Sequence, residues 1–228
     1  MNILYHHRTR GKGAEGAHIK GIVTAFRKLG HQVTLSSIHN VDPTKPVIKE
    51  TTTPTENKKS IKHKILELTK YMPEFVFEAL ELLYNIIALR QVRKTLKNHT
   101  PTFIYERYSL FLFATVWYAK KCNIPIVLEV NDSALVERVR HLLFKKFACK
   151  IEQWTFQNAT GLVFISGYFQ TLAQNNYQNL APSVISPNAA DTEVFNPNNY
   201  NSDDAKASFG LSGKVVCGFL VPFTIGTG

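Results

Sequence analysis

Cysteine is scarce in this sequence: there are three, Cys122, Cys149 and Cys217, far apart along 228 residues. Odd in number and without ligand spacing, they offer neither a disulfide framework nor a metal site. They suit a reducing compartment and read as small buried hydrophobes. Long apolar runs are missing too: none approaches the roughly 18–20 residues that cross a bilayer. The start, MNILYHHRTR, has only a short apolar run before its charges, which is no signal peptide. There is no internal repeat, and no Ser/His/Asp or Cys/His catalytic arrangement can be picked out. His6, His7 and His18 have no partners at metal spacing. They read as surface or loop histidines, or as a single ligand contact, and no metal or cofactor is expected.

What is present is a folded chain, 44% hydrophobic, with a net charge of +10. The charge is lopsided: residues 1–100 hold 17 Lys/Arg against 8 Asp/Glu, and residues 101–200 hold 8 against 7. Nucleic acid, an anionic membrane surface or a phosphorylated ligand would each account for such an excess. Nucleic acid is the poorest fit. The basic residues are scattered, and most aromatics follow core periodicity instead of interleaving with them.

Strand and helix patterns alternate along the chain. A strand over 2–7 leads into the basic Gly-rich loop 8–16. A helix follows over 17–30, with Ile19, Ile22, Val23 and Phe26 on one face, then a strand over 31–37. Residues 38–60, with three prolines and many threonines, read as a long exposed loop. Helices follow over 61–72 and from Pro73 to about Leu96; the second ends in Arg90, Arg93, Lys94 and Lys97, cations favourable at a helix C-terminus. Further strands are expected at 102–107, 125–130, 161–166, 183–186 and 214–219. Helical stretches are expected at 109–122, 134–157, 167–175 and 202–209. This order predicts an α/β protein with a Rossmann-like, doubly wound parallel sheet.

Four stretches carry candidate chemistry. GKGAEG, 11–16, lies between a strand and a helix, where glycines let backbone N–H groups approach phosphates. It is a poor dinucleotide fingerprint. Its first glycine does not follow the strand directly, and Ser36 and Ser37 stand where an acidic residue should end the second strand. Contact with a phosphate or diphosphate remains open beside a plain turn. LEVND, 128–132, ends a strand, where open α/β sheets bind ligands. Glu129, Asn131 and Asp132 are either ligand contacts or, with Ser133, caps of the next helix. YERYS, 105–109, offers Glu106 and Arg107 to a polar ligand or to each other. SPNAADTEVFNP, 186–197, reads as a turn, with Asp191 as a cap and Phe195 as a core anchor.

The ordered set of these motifs resembles the N-terminal domain of family 4 glycosyltransferases, retaining enzymes of the GT-B fold. NILYHHRTRGKGAEGAHIKGIVTAFRKLGHQVTLSS resembles the family's first β-α-β unit. FIYERYSLF with AKKCNIPIVLEVND resembles its middle strands, LVFISGYFQTLA a later strand and helix, and SPNAADTEVFNP the motif P-N-G-V-D-x-x-x-F-x-P. The resemblance implies transfer of a sugar from a nucleotide-sugar donor to a glycan or lipid-linked acceptor. Gly13, Gly16 and His18 would then stand at the donor diphosphate, and Glu106, Arg107 and Asp132 in the acceptor pocket. Glu129 and Asn131 become catalytic candidates; several members carry a histidine near the position of Asn131. Asn188 and Asp191 fit the linker motif, with Ala189 in place of a glycine. A non-catalytic domain that binds a phosphorylated ligand or dinucleotide is the alternative.

The implied organisation is an acceptor-side domain over 1–197, then a linker and the first strand of a donor domain over 198–219. Residues 220–228 are expected to be an out-of-frame tail. Read one base earlier, the codons behind Leu220–Gly228 permit GSFHYWHG, which is similar to the family's continuation. A donor domain encoded separately would be the missing partner, and this chain alone would be inactive. The expected setting is cytoplasmic. The basic loop 44–64 and the apolar-faced helices after it form either a peripheral membrane patch on the inner face or a solvated cover over the core.

Overall fold

The computed structural model describes residues 1–9, 13–37, 42–44, 74–98, 100–137, 142–193 and 195–217. Its centre is a six-stranded parallel sheet in the order β2-β1-β3-β4-β5-β6. The strands are β1 (Asn2–His7), β2 (Gln32–Ser37), β3 (Phe103–Arg107), β4 (Ile126–Val130), β5 (Gly161–Phe164) and β6 (Ser183–Ile185). The helices are α1 (Gly13–Lys28), α2 (Glu74–Asn98), α3 (Ala114–Lys121), α4 (Lys145–Asn158), α5 (Gly167–Asn176) and α6 (Ser202–Ser208).

Successive strand residues point to opposite faces, so each central strand feeds two cores. On one face Ile3, Tyr5 and Tyr105 pack against Ile19 and Val23 of α1. On the other, Leu4, Ile104, Ile126, Leu128 and Leu162 pack against Val92 of α2, Val116 of α3 and Phe156 of α4. The sheet is therefore doubly wound, as the alternation of patterns predicts. Chain order reverses direction between β1 and β3, and such a switch point leaves a crevice at the carboxyl ends of the strands.

Several boundaries differ from the sequence expectation. The helix expected from 109 starts at Ala114. Asn85 of α2 holds the intervening loop: its amide donates to Phe111 O at 2.8 Å and its Oδ1 accepts from Phe113 N and Ala114 N at 2.9 Å. Phe111 turns with φ +62° inside that loop and is fully buried. The stretch expected to be helical from 134 becomes a helix only at Lys145. Glu78 of α2 receives the N–H groups of Leu143 and Phe144 at 2.6 and 2.9 Å just before it. β5 stops at Phe164 because Ser166 caps α5, its Oγ accepting from Phe169 N at 3.4 Å.

Four expectations are corrected outright. His6 and His7 are not surface histidines; both are fully buried at the end of β1. Phe195 is no core anchor, being 72% exposed. Residues 214–217 form no strand, and Val215 is 94% exposed. The cysteines are not buried hydrophobes: Cys122 and Cys217 are exposed and Cys149 is half-buried. The expected helix over 61–72, residues 218–219, the tail 220–228 and all of the basic loop 38–60 except 42–44 lie outside the described residues.

Candidate functional site

An open cleft of about 620 Å³ lies at the switch point. Arg8 and Thr9 leave β1 on one side, Arg107, Tyr108, Ser109 and Leu110 leave β3, and Asn131 and Asp132 leave β4. Glu15 from the first turn of α1 and Glu81 from α2 complete its lining.

Two arginines stand in opposite settings. Arg8 is held by α2: its Nη2 donates to Glu81 Oε1 at 3.2 Å, and its guanidinium lies over the Tyr84 ring, 5.3 Å from the centroid. Arg107 is held by β4 and the loop after it. With the Asn131 amide oxygen turned to the guanidinium, that oxygen accepts from Arg107 Nε at 2.7 Å and also from Nη2. Arg107 Nη1 also approaches Glu129 Oε1 at 3.5 Å. A guanidinium fork gripped in this way is fixed in plane at the cleft wall.

Glu129 lies beneath. It is 2% exposed, and its Oε1 is bonded to His18 Nε2 of α1 at 2.8 Å. This contact joins the helix after β1 to the end of β4. Burial first, then the Glu129 charge, pushes the phenols of Tyr5 and Tyr105 above their ordinary range, so both stay neutral. The two rings stack at 5.4 Å between centroids.

The structure sorts the residues singled out in the sequence. Arg107, Asn131 and Asp132 line the cleft, and Glu129 and His18 support its floor. Gly13 opens α1 at φ +63°, which favours glycine, while Gly16 is buried in the first turns of that helix. Arg10 and Lys12, two cations of the basic Gly-rich loop 8–16, lie outside the described residues. Glu106 is a correction. Adjacent to Arg107, it points to the opposite face, where its Oε2 bonds His6 Nδ1 and its Oε1 accepts from Thr115 Oγ1, both at 2.6 Å. It pairs neither with Arg107 nor with the cleft. Asp132 and Ser133 cap no helix. They close the turn after β4, Asp132 Oδ1 accepting from Ser133 N at 2.8 Å and Ser133 Oγ from Leu135 N at 3.1 Å. Asn188 and Asp191 lie in the exposed segment after β6, where Asp191 Oδ1 accepts from Glu193 N at 3.0 Å.

Sequence reasoning missed Glu81 and Glu152. Glu152 of α4 is fully buried and receives four donors: Tyr108 Oη at 2.7 Å, Ser133 Oγ at 2.6 Å, Ala134 N at 2.8 Å and Tyr177 Oη at 3.0 Å. Burial raises its pKa, and the four donors oppose that rise. The usable signal was a single acid on the otherwise core-facing side of an amphipathic helix. For α2 it was the spacing of Glu78, Glu81 and Asn85, three and four residues apart and hence on one helical face.

A comparison with curated protein sequences returned no match. The structure is similar to sucrose-phosphate synthase from Thermosynechococcus elongatus, with a TM-score of 0.59 and 13% identity, over 92% of this chain and 52% of that one. It is also similar to a glycosyltransferase from Rickettsia africae ESF-5, with a TM-score of 0.53 and 13% identity, over 94% of this chain and 50% of that one. The chain thus spans about half the length of the structures it resembles. At such identity these likenesses show the fold, which is that of a GT-B N-terminal domain. In sequence, residues 16–194 match Glycosyltransferase Family 4, most of the chain and all of the cleft except Arg8, Thr9 and Glu15. The chain belongs to glycosyltransferase family 4.

Proposed function

We propose that this chain is the acceptor-side half of a retaining glycosyltransferase, which moves a sugar from a nucleotide-sugar to a glycan or lipid-linked acceptor. The observation that carries the reading is the Arg107–Asn131–Glu129–His18 chain of contacts at the switch-point cleft. It fixes charged and amide groups around an opening large enough for a saccharide. Arg107, Asp132 and Glu81 suit hydroxyl groups, because carboxylates and guanidinium forks bind vicinal hydroxyls in pairs. The donor diphosphate would lie toward the start of α1, at Gly13 and Gly16, where helix N–H groups favour negative charge. His18 would act there through Glu129, and Asn131 would face the reacting sugar. The donor-binding half is the partner this reading requires. Without it the chain is expected to bind but not to turn over. No metal or further cofactor enters this reading.

A dinucleotide reading has less support. Ser36 and Ser37 close β2, where a ribose-binding carboxylate would be needed.

Amide shifts in the isotope-labelled 228-residue chain test the proposal, with saccharides, nucleotide-sugars and NAD titrated in turn. The expected result is saccharide-induced shifts at Tyr108, Ser109, Asn131 and Asp132, with no sugar transfer. A cleft silent to every saccharide and nucleotide-sugar, with NAD shifting Gly13–Gly16, overturns the reading. Transfer by this chain alone overturns the requirement for a second half.

A further inference from the structure

We propose that the first half of α2 and the first turns of α4 together form a face that docks on an anionic lipid surface. Phe75, Leu83 and Ile86 of α2 are each about half exposed, and so are Leu143, Phe144 and Phe147 at the start of α4. The two groups belong to one junction. Glu78 of α2 receives the backbone N–H groups of Leu143 and Phe144, and Leu82 packs in one cluster with Leu142 and Ala148. Apolar side chains this large rarely stand together on a surface that meets only water.

Charge decides the occupant. Across α2 the acids are Glu74, Glu78 and Glu81, against Arg90, Arg93, Lys94 and Lys97. Glu78 is buried against α4 and Glu81 bonds Arg8. Residues 142–150 contain no acid at all, but Lys145, Lys146 and Lys150 are exposed there. Arg90 and Lys94 continue the exposed side of α2. A face of phenylalanine and leucine ringed by cations suits the headgroup boundary of an anionic bilayer. There the rings enter the interface and lysines reach lipid phosphates over their apolar stems. A second copy of the same face would set lysines against lysines, with Glu78 and Glu81 already engaged by α4 and Arg8. No helix among the described residues is long and apolar enough to cross a membrane, and the proposed contact is a peripheral one. The basic loop 44–64 is not required for it.

Position adds a consequence. Glu81, one helical turn from Glu78, lines the cleft, and the cleft residue Leu110 packs in the same cluster as Ala148 of α4. Docking by this face would bring the cleft mouth to the membrane, which favours a lipid-linked acceptor over a soluble one. That choice of acceptor rests on the transferase reading; the docking does not.

Flotation of the whole 228-residue protein with phosphatidylcholine vesicles, with and without phosphatidylglycerol, tests the face. The face variant is Phe144→Glu/Phe147→Glu. Its control is Leu29→Glu/Phe209→Glu, which makes the same charge change at exposed positions elsewhere. The expected result is salt-sensitive flotation with the anionic vesicles only. The face variant should lose at least about tenfold in partitioning while the control stays within about twofold of wild type. No binding of the wild type, or an equal loss in both variants, overturns the proposal. A concentration-dependent dimer abolished by the face variant also overturns it, since the face would then join copies of the chain. Vesicle binding needs no sugar transfer, so its failure leaves the transferase reading standing, and failure of that reading leaves the docking standing.

Discussion

The Tyr108 hydroxyl donates to the carboxylate of Glu152 at 2.7 Å, with both residues buried, and this bond ties a cleft loop to the middle of α4. Ser133 and Ala134 bind the same carboxylate from the loop that carries Asn131 and Asp132. One side chain therefore sets the spacing of two cleft walls. Replacing Glu152 by Ala leaves four buried donors without their acceptor and should cost about 3–5 kcal/mol. Against a typical total of about 5–15 kcal/mol this approaches unfolding. Glu152→Gln retains a carbonyl acceptor and should lose less. Denaturant titration of both variants checks the order.

Asn85 makes a second prediction. It satisfies Phe111 O and the first N–H groups of α3 from across the domain, where a local cap would normally serve. Asn85→Ala should cost about 2–3 kcal/mol. Asn85→Asp retains the acceptor but loses the donation to Phe111 O, and should fall between Ala and wild type. Limited proteolysis should cut first within 108–113 in the Ala variant. An uncut loop with unchanged stability would show that the amide is dispensable.

Glu106 and Asp132 separate scaffold from cleft. Glu106→Gln disturbs the buried bonds to His6 and Thr115 and should lose about 1–3 kcal/mol of stability. It should leave saccharide-induced shifts at Asn131 intact. Asp132→Ala should do the reverse: a small stability change and loss of those shifts. Paired thermal melts and amide titrations decide between the two roles.

These residues also show what was legible in the chain. Buried parallel strands appear as short apolar runs, so β1, β3 and β4 stand within one residue of their expected bounds. Arg107, Asn131 and Asp132 could be placed at the cleft because strand ends collect ligands in open α/β sheets. The period of two could also have removed Glu106, since it and Arg107 cannot share a face. Glu81, Asn85 and Glu152 were not legible as site residues. Their partners lie on loops far away in sequence, and a lone acid on a helix looks like ordinary surface charge until the fold buries it. The burial of His6 and His7 has the same origin, because helices cover both faces at the end of β1.

His7 gives a pH prediction. Burial, then the neighbouring His6 imidazole, lowers its pKa from 6.5 to about 4. The unfolded chain therefore takes up this proton first, at an ordinary histidine pKa near 6.5. The folding stability tied to neutral His7 is fully present above about pH 6.5, falls as pH drops, and is gone below about pH 4. The whole span is about 3 kcal/mol, at about 1.4 kcal/mol per pKa unit. His7→Gln removes the titrating group and keeps a polar side chain in its place. Its stability should therefore fall less steeply than wild type between pH 6.5 and 4, by up to one proton in the linkage slope. Urea titrations at several pH values in that window measure the slopes. Identical slopes for His7→Gln and wild type would mean that His7 titrates alike in both states, and that its burial at the end of β1 carries no pH cost.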